Sequence, residues 1–116
     1  MKLPNVLAVD TSKNDEVVID LELLPQLEAF CGHFPDNPIL PGVVQIDWAV
    51  RFAASHLGIQ NISMRDFQVK FRNIIRPNIP LSLTLQFNAV KNHLLFAYKS
   101  GDDLMSSGQL KLGAKA

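Results

Sequence analysis

The chain has 116 residues, 47% of them hydrophobic, and its 11 Lys and Arg balance 11 Asp and Glu, so the formal net charge is zero. At this length one domain burying roughly two-thirds of the unfolded surface is expected, which excludes general disorder and needs no disulfide or structural metal. Charge balance also leaves no basic face for nucleic acid and no polybasic segment for an anionic membrane.

Residues 1–10 hold one Lys and a short apolar stretch broken by Pro4 and Asn5, too brief for a signal peptide. No run approaches the roughly 18 apolar residues of a membrane span. Cys31, the single cysteine, cannot close an internal disulfide and suits a reducing compartment. These features predict a soluble cytoplasmic protein formed as one domain over residues 1–116.

From Glu16 to Leu23 the apolar residues Val17, Ile19, Leu21 and Leu23 alternate with Asp20 and Glu22, the two-residue period of a half-buried strand. Between Pro25 and Gly42 the density of Pro, Gly, Asp and Asn predicts an ordered loop, with room for a helical turn around Leu24 to Phe30. Residues 43–57 contain neither Pro nor Gly and are followed by Gly58, which predicts a helix with a glycine stop. Its apolar residues cover most of the circumference, so it is expected to be buried on most sides. Phe67, Val69 and Phe71, then Leu81, Leu83, Leu85 and Phe87, alternate with polar residues and predict two strands facing one core. Apolar runs at 94–98 and 110–112 follow, separated by Lys91-Asn92 and Gly101-Asp102-Asp103, which are short turn signals. The pattern is an α+β, antiparallel sheet that must either wrap one central helix or leave part of it to a partner subunit.

The chemistry-bearing stretch is Gly32-His33-Phe34-Pro35-Asp36-Asn37-Pro38-Ile39-Leu40-Pro41-Gly42-Val43-Val44-Gln45-Ile46-Asp47. It sets a histidine in a proline-stiffened loop, Pro-Gly at a helix start, and a carboxylate early in an apolar helix. His33 has the side chain suited to proton abstraction near neutral pH. The free amides of Gly42 and Val43 offer N–H donors and the positive end of the helix dipole to a developing oxyanion. Asp47 is a candidate proton donor if desolvation favours its protonated form.

This stretch resembles the hot-dog-fold 3-hydroxyacyl-acyl-carrier-protein dehydratases, whose signature His-Phe-x-x-x-Pro-x-x-Pro-Gly is followed after four residues by Glu or Asp. His33, Phe34, Pro38, Pro41, Gly42 and Asp47 match every fixed position. The wording Pro-Gly-Val-Val-Gln-Ile-Asp-Trp-Ala-Val-Arg is closest to the short dehydratase-like proteins of aryl-polyene clusters. Phe67 to Pro77 echoes a second family stretch, Phe-x-x-x-Lys-Phe-x-x-x-x-x-Pro, so the resemblance runs from Phe30 onward.

The resemblance implies a curved antiparallel sheet around a central helix and dehydration of a (3R)-3-hydroxyacyl thioester carried on acyl carrier protein. It implies His33 as the base at C2, Gly42 as donor to the thioester oxygen, and Asp47 as the acid that protonates the leaving hydroxyl. Val43 and Phe34 are placed with the substrate. The resemblance implies no metal or redox cofactor, and a homodimer in which the acid comes from the neighbouring subunit.

Two positions depart from the family pattern. Arg51 stands where Gln is usual, at i,i+4 spacing from Asp47, where pairing would favour the ionised carboxylate. Pro77-Asn78-Ile79-Pro80 replaces a usual Pro-Gly-Asp or Pro-Gly-Glu, a change expected to affect a turn. Asp47 therefore has two readings, proton donor or structural partner of Arg51. Cys31 lies two residues from His33 but without an identifiable orienting Asn or Asp it reads as structural. The three histidines with Cys31 lack metal-ligand spacing, and Trp48 and Phe52 read equally as core or tunnel lining. The dehydratase reading stands against an acyl thioesterase of the same fold and a non-catalytic acyl-binding partner subunit.

Overall fold

The computed structural model describes residues 2–31, 38–60 and 62–113, the side chains of 63–65 excepted. The elements are β1 (Asn5–Asp10), β2 (Glu16–Glu22), a 3-10 turn (Glu28–Phe30), α1 (Gly42–Leu57), β3 (Ile62–Phe71), β4 (Leu81–Asn88), β5 (His93–Ser100) and β6 (Asp103–Leu112). All strand pairs are antiparallel, in one six-stranded sheet of order β1-β2-β4-β5-β6-β3. With α1 packed on its face, the sheet has the α+β hot-dog arrangement expected from the sequence.

Alternation decides which face of the sheet is the core. Val17, Ile19 and Leu21 of β2, Leu81, Leu83 and Leu85 of β4, and Leu94, Phe96 and Tyr98 of β5 are all buried. They face the buried side of α1, formed by Val44, Ile46, Trp48, Ala49, Phe52 and Ala53. Trp48 is wholly buried and so belongs to the core. The helix stops where Gly58 adopts a left-handed conformation, φ 68°, its N–H bonded to the Ala53 carbonyl.

Three features differ from the expected pattern. First, β1 is an additional strand: its residues are all exposed at the sheet edge, so no buried face imposes an alternation that would reveal it. Leu7 is skipped in the pairing with β2, a bulge of the kind that blunts open edges. Second, Phe67 and Phe71 of β3 are 41% and 54% exposed, because β3 is the opposite edge and α1 lies over the middle of the sheet. Third, α1 is not covered all round. Val43 is exposed and Asp47, Val50, Arg51 and Ala54 are only half-buried, a stripe at helical spacing that the described residues leave open. The turn at Pro77-Asn78 has Asn78 at φ 67°, with its N–H bonded to the Leu23 carbonyl at 2.8 Å, so the departure from the family pattern does fall in a turn.

β6 is joined to both neighbours through a point of close approach. A Cβ on Gly108 would lie 2.6 Å from Phe96 Cε2 and 2.8 Å from the Gln68 carbonyl oxygen. The carbonyl belongs to the paired strand β3 and cannot swing aside as a side-chain tip can. Gly108→Ala is expected to lower the unfolding free energy by about 1–3 kcal/mol through overpacking. Urea denaturation of both proteins checks this, and a variant as stable as the parent would show that β3 and β6 part without strain.

Candidate active site

α1 begins without a capping side chain. Pro41 occupies the N-cap position in an extended conformation, and the first turn holds no carboxylate. The Pro41 carbonyl accepts the N–H groups of Val44 and Gln45, both at 3.1 Å. The N–H groups of Gly42 and Val43 have no acceptor among the described residues, as sequence reasoning expects for the first helical positions. They present the positive end of the helix dipole to whatever lies in front of them.

Beside the helix start lies a groove of about 310 Å3 lined by Ile39, Leu40, Gly42, Phe71, Arg72 and Ile74 among others. Phe71 and Ile74 are large apolar side chains left more than half exposed. The Phe71 ring rests on the helix start, where a Cβ on Gly42 would come within 2.6 Å of Phe71 Cζ. The absence of a Cβ on Gly42 is what lets the Phe71 ring lie this close, and any larger residue would have to push that ring aside. An apolar groove at a helix start with unclaimed N–H donors is the usual chemistry of a small-molecule site. A groove of about 380 Å3 on the other face of the sheet, over Lys70 and Gln109, contains none of the candidate site residues.

Asp47 lies one turn beyond Val43 on the open stripe of α1. Its Oδ2 is 3.6 Å from Arg51 Nη1, and the two side chains remain 46% and 42% exposed. The sequence-level pairing is therefore present, in solvent rather than in the core. His33 and Phe34 lie outside the described residues. Cys31 is exposed rather than packed in the core, and its thiol donates to the Leu27 carbonyl at 3.4 Å. His56 is exposed and packs against the Phe52 ring, while His93 is half-buried on β5. Among the described residues no group of three His, Cys, Asp or Glu is placed to hold a metal, and no helix is long and apolar enough to cross a membrane.

The sequence reading missed a buried polar cluster beneath the helix start. Gln45 Nε2 donates to the Leu40 carbonyl at 3.1 Å, Ser106 Oγ donates to Gln45 Oε1 at 2.7 Å, and Tyr98 OH donates to the Gln45 backbone carbonyl at 2.7 Å. A signal exists for these residues. Gln45 is a polar residue in the first turn of a helix otherwise nearly apolar, and Tyr98 continues the inward-facing alternation of β5.

Burial, and secondarily the negative charge of Asp47, push the Tyr98 hydroxyl well above the ordinary phenol value of 10.0. The folded state therefore holds this proton more tightly than the unfolded chain does. Its contribution to stability is complete below the unfolded value and is lost as pH rises above it. Unfolding free energy should fall above pH ~10 by up to about 1.4 kcal/mol per pH unit from this group. Tyr98→Phe should remove that part of the alkaline slope, which urea titrations of both proteins between neutral and strongly alkaline pH measure.

A family model described as ApeI-like, ApeI dehydratase, matches residues 9–109. The fold is similar to a chain of the dehydratase heterocomplex ApeI:P from Xenorhabdus doucetiae, with a TM-score of 0.88 and 34% identity over 97% of this chain and 100% of that one. It is also similar to an uncharacterized protein from Erwinia carotovora subsp. atroseptica, with a TM-score of 0.81 and 34% identity over 97% of each chain. A 3-hydroxyacyl-[acyl-carrier-protein] dehydratase FabZ of Thermoanaerobacter sp. (strain X514) is 30% identical over 95 residues, a match covering 70% of this chain and 64% of the relative. The chain thus spans less than two-thirds of the curated relative's length. With a model match across nearly all of its sheet and its whole helix, the chain belongs to the ApeI-like dehydratase family.

Proposed function

We propose that this chain is one hot-dog domain that dehydrates (3R)-3-hydroxyacyl groups carried on acyl carrier protein, in fatty-acid or polyene-type chain synthesis in the cytoplasm. The observation that carries the reading is the uncapped start of α1, with the Gly42 and Val43 N–H groups unclaimed among the described residues beside an apolar groove. In this reading the thioester oxygen accepts from Gly42, and negative charge developing on it is stabilised by the helix terminus. His33 takes the C2 proton, and the electron pair of that C–H bond forms the C2–C3 double bond. The C3–O bond breaks, and the hydroxyl leaves as water with a proton from Asp47. Phe34 and Val43 contact the substrate. The chemistry requires no metal and no redox cofactor, because every proton and electron pair is accounted for by substrate and side chains.

The open stripe of α1 supports assembly. Asp47 lies on that stripe, away from the buried face, and the β3 edge adds exposed Phe67 and Phe71. A two-fold dimer covers such surfaces twice with one interface and lets Asp47 of one protomer complete the site of its partner. Two copies of this chain are the assembly proposed. The relative from Xenorhabdus doucetiae is described as part of a heterocomplex, so a second, different chain is the competing arrangement. The Asp47–Arg51 ion pair favours a second reading of function, an acyl-binding subunit whose acid is held by its neighbour.

Mass spectrometry of a 3-hydroxyacyl carrier protein incubated with the chain separates the readings. A product lighter by one water supports dehydration, a free acid supports a thioesterase, and unaltered but bound substrate supports the acyl-binding subunit. His33→Ala should reduce dehydration by roughly 10²–10⁴-fold, and Asp47→Ala should also be nearly inactive. If the two residues serve one site from different protomers, co-refolding equal amounts restores about a quarter of the sites. Recovery no greater than that of either variant alone, with mixed dimers present, would place both residues in one protomer or remove one from catalysis. Arg51→Gln releases Asp47 and should raise turnover by up to about fivefold, the rate equivalent of the ~1 kcal/mol upper range for an exposed ion pair.

A further inference from the structure

The helix start is seated on a single row of residues running across the sheet. The register pairs Ile19 with Leu83, Leu83 with Tyr98, Tyr98 with Ser106, and Ser106 with Phe71. Directly paired residues of antiparallel strands point to the same face, so this row projects beneath the first turn of α1. Ile19 and Leu83 are apolar and wholly buried. Tyr98 and Ser106 are equally buried and both donate to Gln45. Phe71, at the β3 end of the row, meets Gly42.

Gln45 is held at both ends of its carboxamide. The oxygen accepts from Ser106, which leaves the nitrogen as the donor aimed at the Leu40 carbonyl. Without that acceptor–donor assignment the amide could rotate and turn its oxygen toward the carbonyl, which repels it. Leu40 is held from its other side too, because its own N–H donates to the Ile75 carbonyl at 2.8 Å. Leu40, two residues before Gly42, is thus clamped between the β3–β4 loop and the helix it precedes.

We infer that Gln45 is a positioning residue: oriented by Ser106, its carboxamide fixes the Leu40 peptide and thereby sets the direction of the Gly42 and Val43 N–H groups. This role rests on the reading of those amides as the donors to the thioester oxygen. A hydrophobic residue would fill the same buried space but would leave the Leu40 carbonyl without its donor and the Pro38–Gly42 segment free to shift. Displacements of about 1 Å at an oxyanion donor are enough to cost on the order of a hundredfold in rate.

The test uses Ser106→Ala, which removes only the hydroxyl that orients the carboxamide, and Gln45→Met, which keeps the volume but removes both side-chain hydrogen bonds. Ser107→Ala, next along β6 and outside the row, is the control. Each protein is assayed below its melting transition for kcat and KM on a 3-hydroxyacyl carrier protein, and the backbone amide resonances of Gly42 and Val43 are recorded. Both variants should lower kcat by about ten- to a hundredfold with KM little changed, and should shift the two amide resonances, while Ser107→Ala does neither. A residue that only stabilises the fold would lower the melting temperature and leave kcat and those resonances alone. Folded Ser106→Ala with the parent kcat, or with unmoved Gly42 and Val43 resonances, overturns the inference. If the parent protein dehydrates nothing, the functional reading fails instead, and the amide resonances by themselves decide whether Gln45 sets the helix start.

Discussion

Gln45, through its carboxamide and its backbone carbonyl, joins the three parts of the molecule that must stay in register: the loop before the helix, the helix itself, and the inner strands β5 and β6. Its partners Leu40, Tyr98 and Ser106 come from separate segments, and all lie where water does not compete. A buried hydrogen bond of this kind contributes only about 1 kcal/mol net, yet leaving one of its groups unpaired costs more than the bond contributes. The cluster therefore acts mainly by excluding alternatives. An apolar contact would allow the helix start to slide over the sheet, whereas these directional bonds are satisfied in one arrangement.

That arrangement leaves other surfaces unfinished. The sheet buries one side of α1 and stops, so Val43, Asp47, Val50, Arg51 and Ala54 face outward, and the β3 edge carries two exposed phenylalanines. Among the described residues, the six-stranded sheet and one helix leave no further element to place there. The chain's most chemically interesting carboxylate thus lies on the surface a second subunit would cover. The groove at the helix start and the open stripe both involve α1.

The long alternating segments could be read directly. β4 has the predicted bounds, and α1 differs from the predicted helix only by beginning at Gly42, because Pro41 and Gly58 act through backbone geometry that any tertiary setting must respect. The turn around Leu24 to Phe30 appears as the 3-10 turn at Glu28–Phe30. β1 was illegible because an edge strand with both faces in solvent carries no periodic signal. The inward face of β3 was misread for the converse reason: Phe67 and Phe71 alternate like core residues, but being at an edge left them uncovered.

Local chemistry in the chain determined the helix with its stop, the antiparallel strands, the uncapped Pro-Gly start and the i,i+4 pairing of Asp47 with Arg51, since each depends on neighbours within a turn or a hairpin. Only the tertiary structure decided which side of α1 is open, that the acid–arginine pair stands in solvent, and that Gln45, Tyr98 and Ser106 meet. Tyr98 and Ser106 lie 53 and 61 positions from Gln45, and their meeting depends on strand order and register, which no local period encodes.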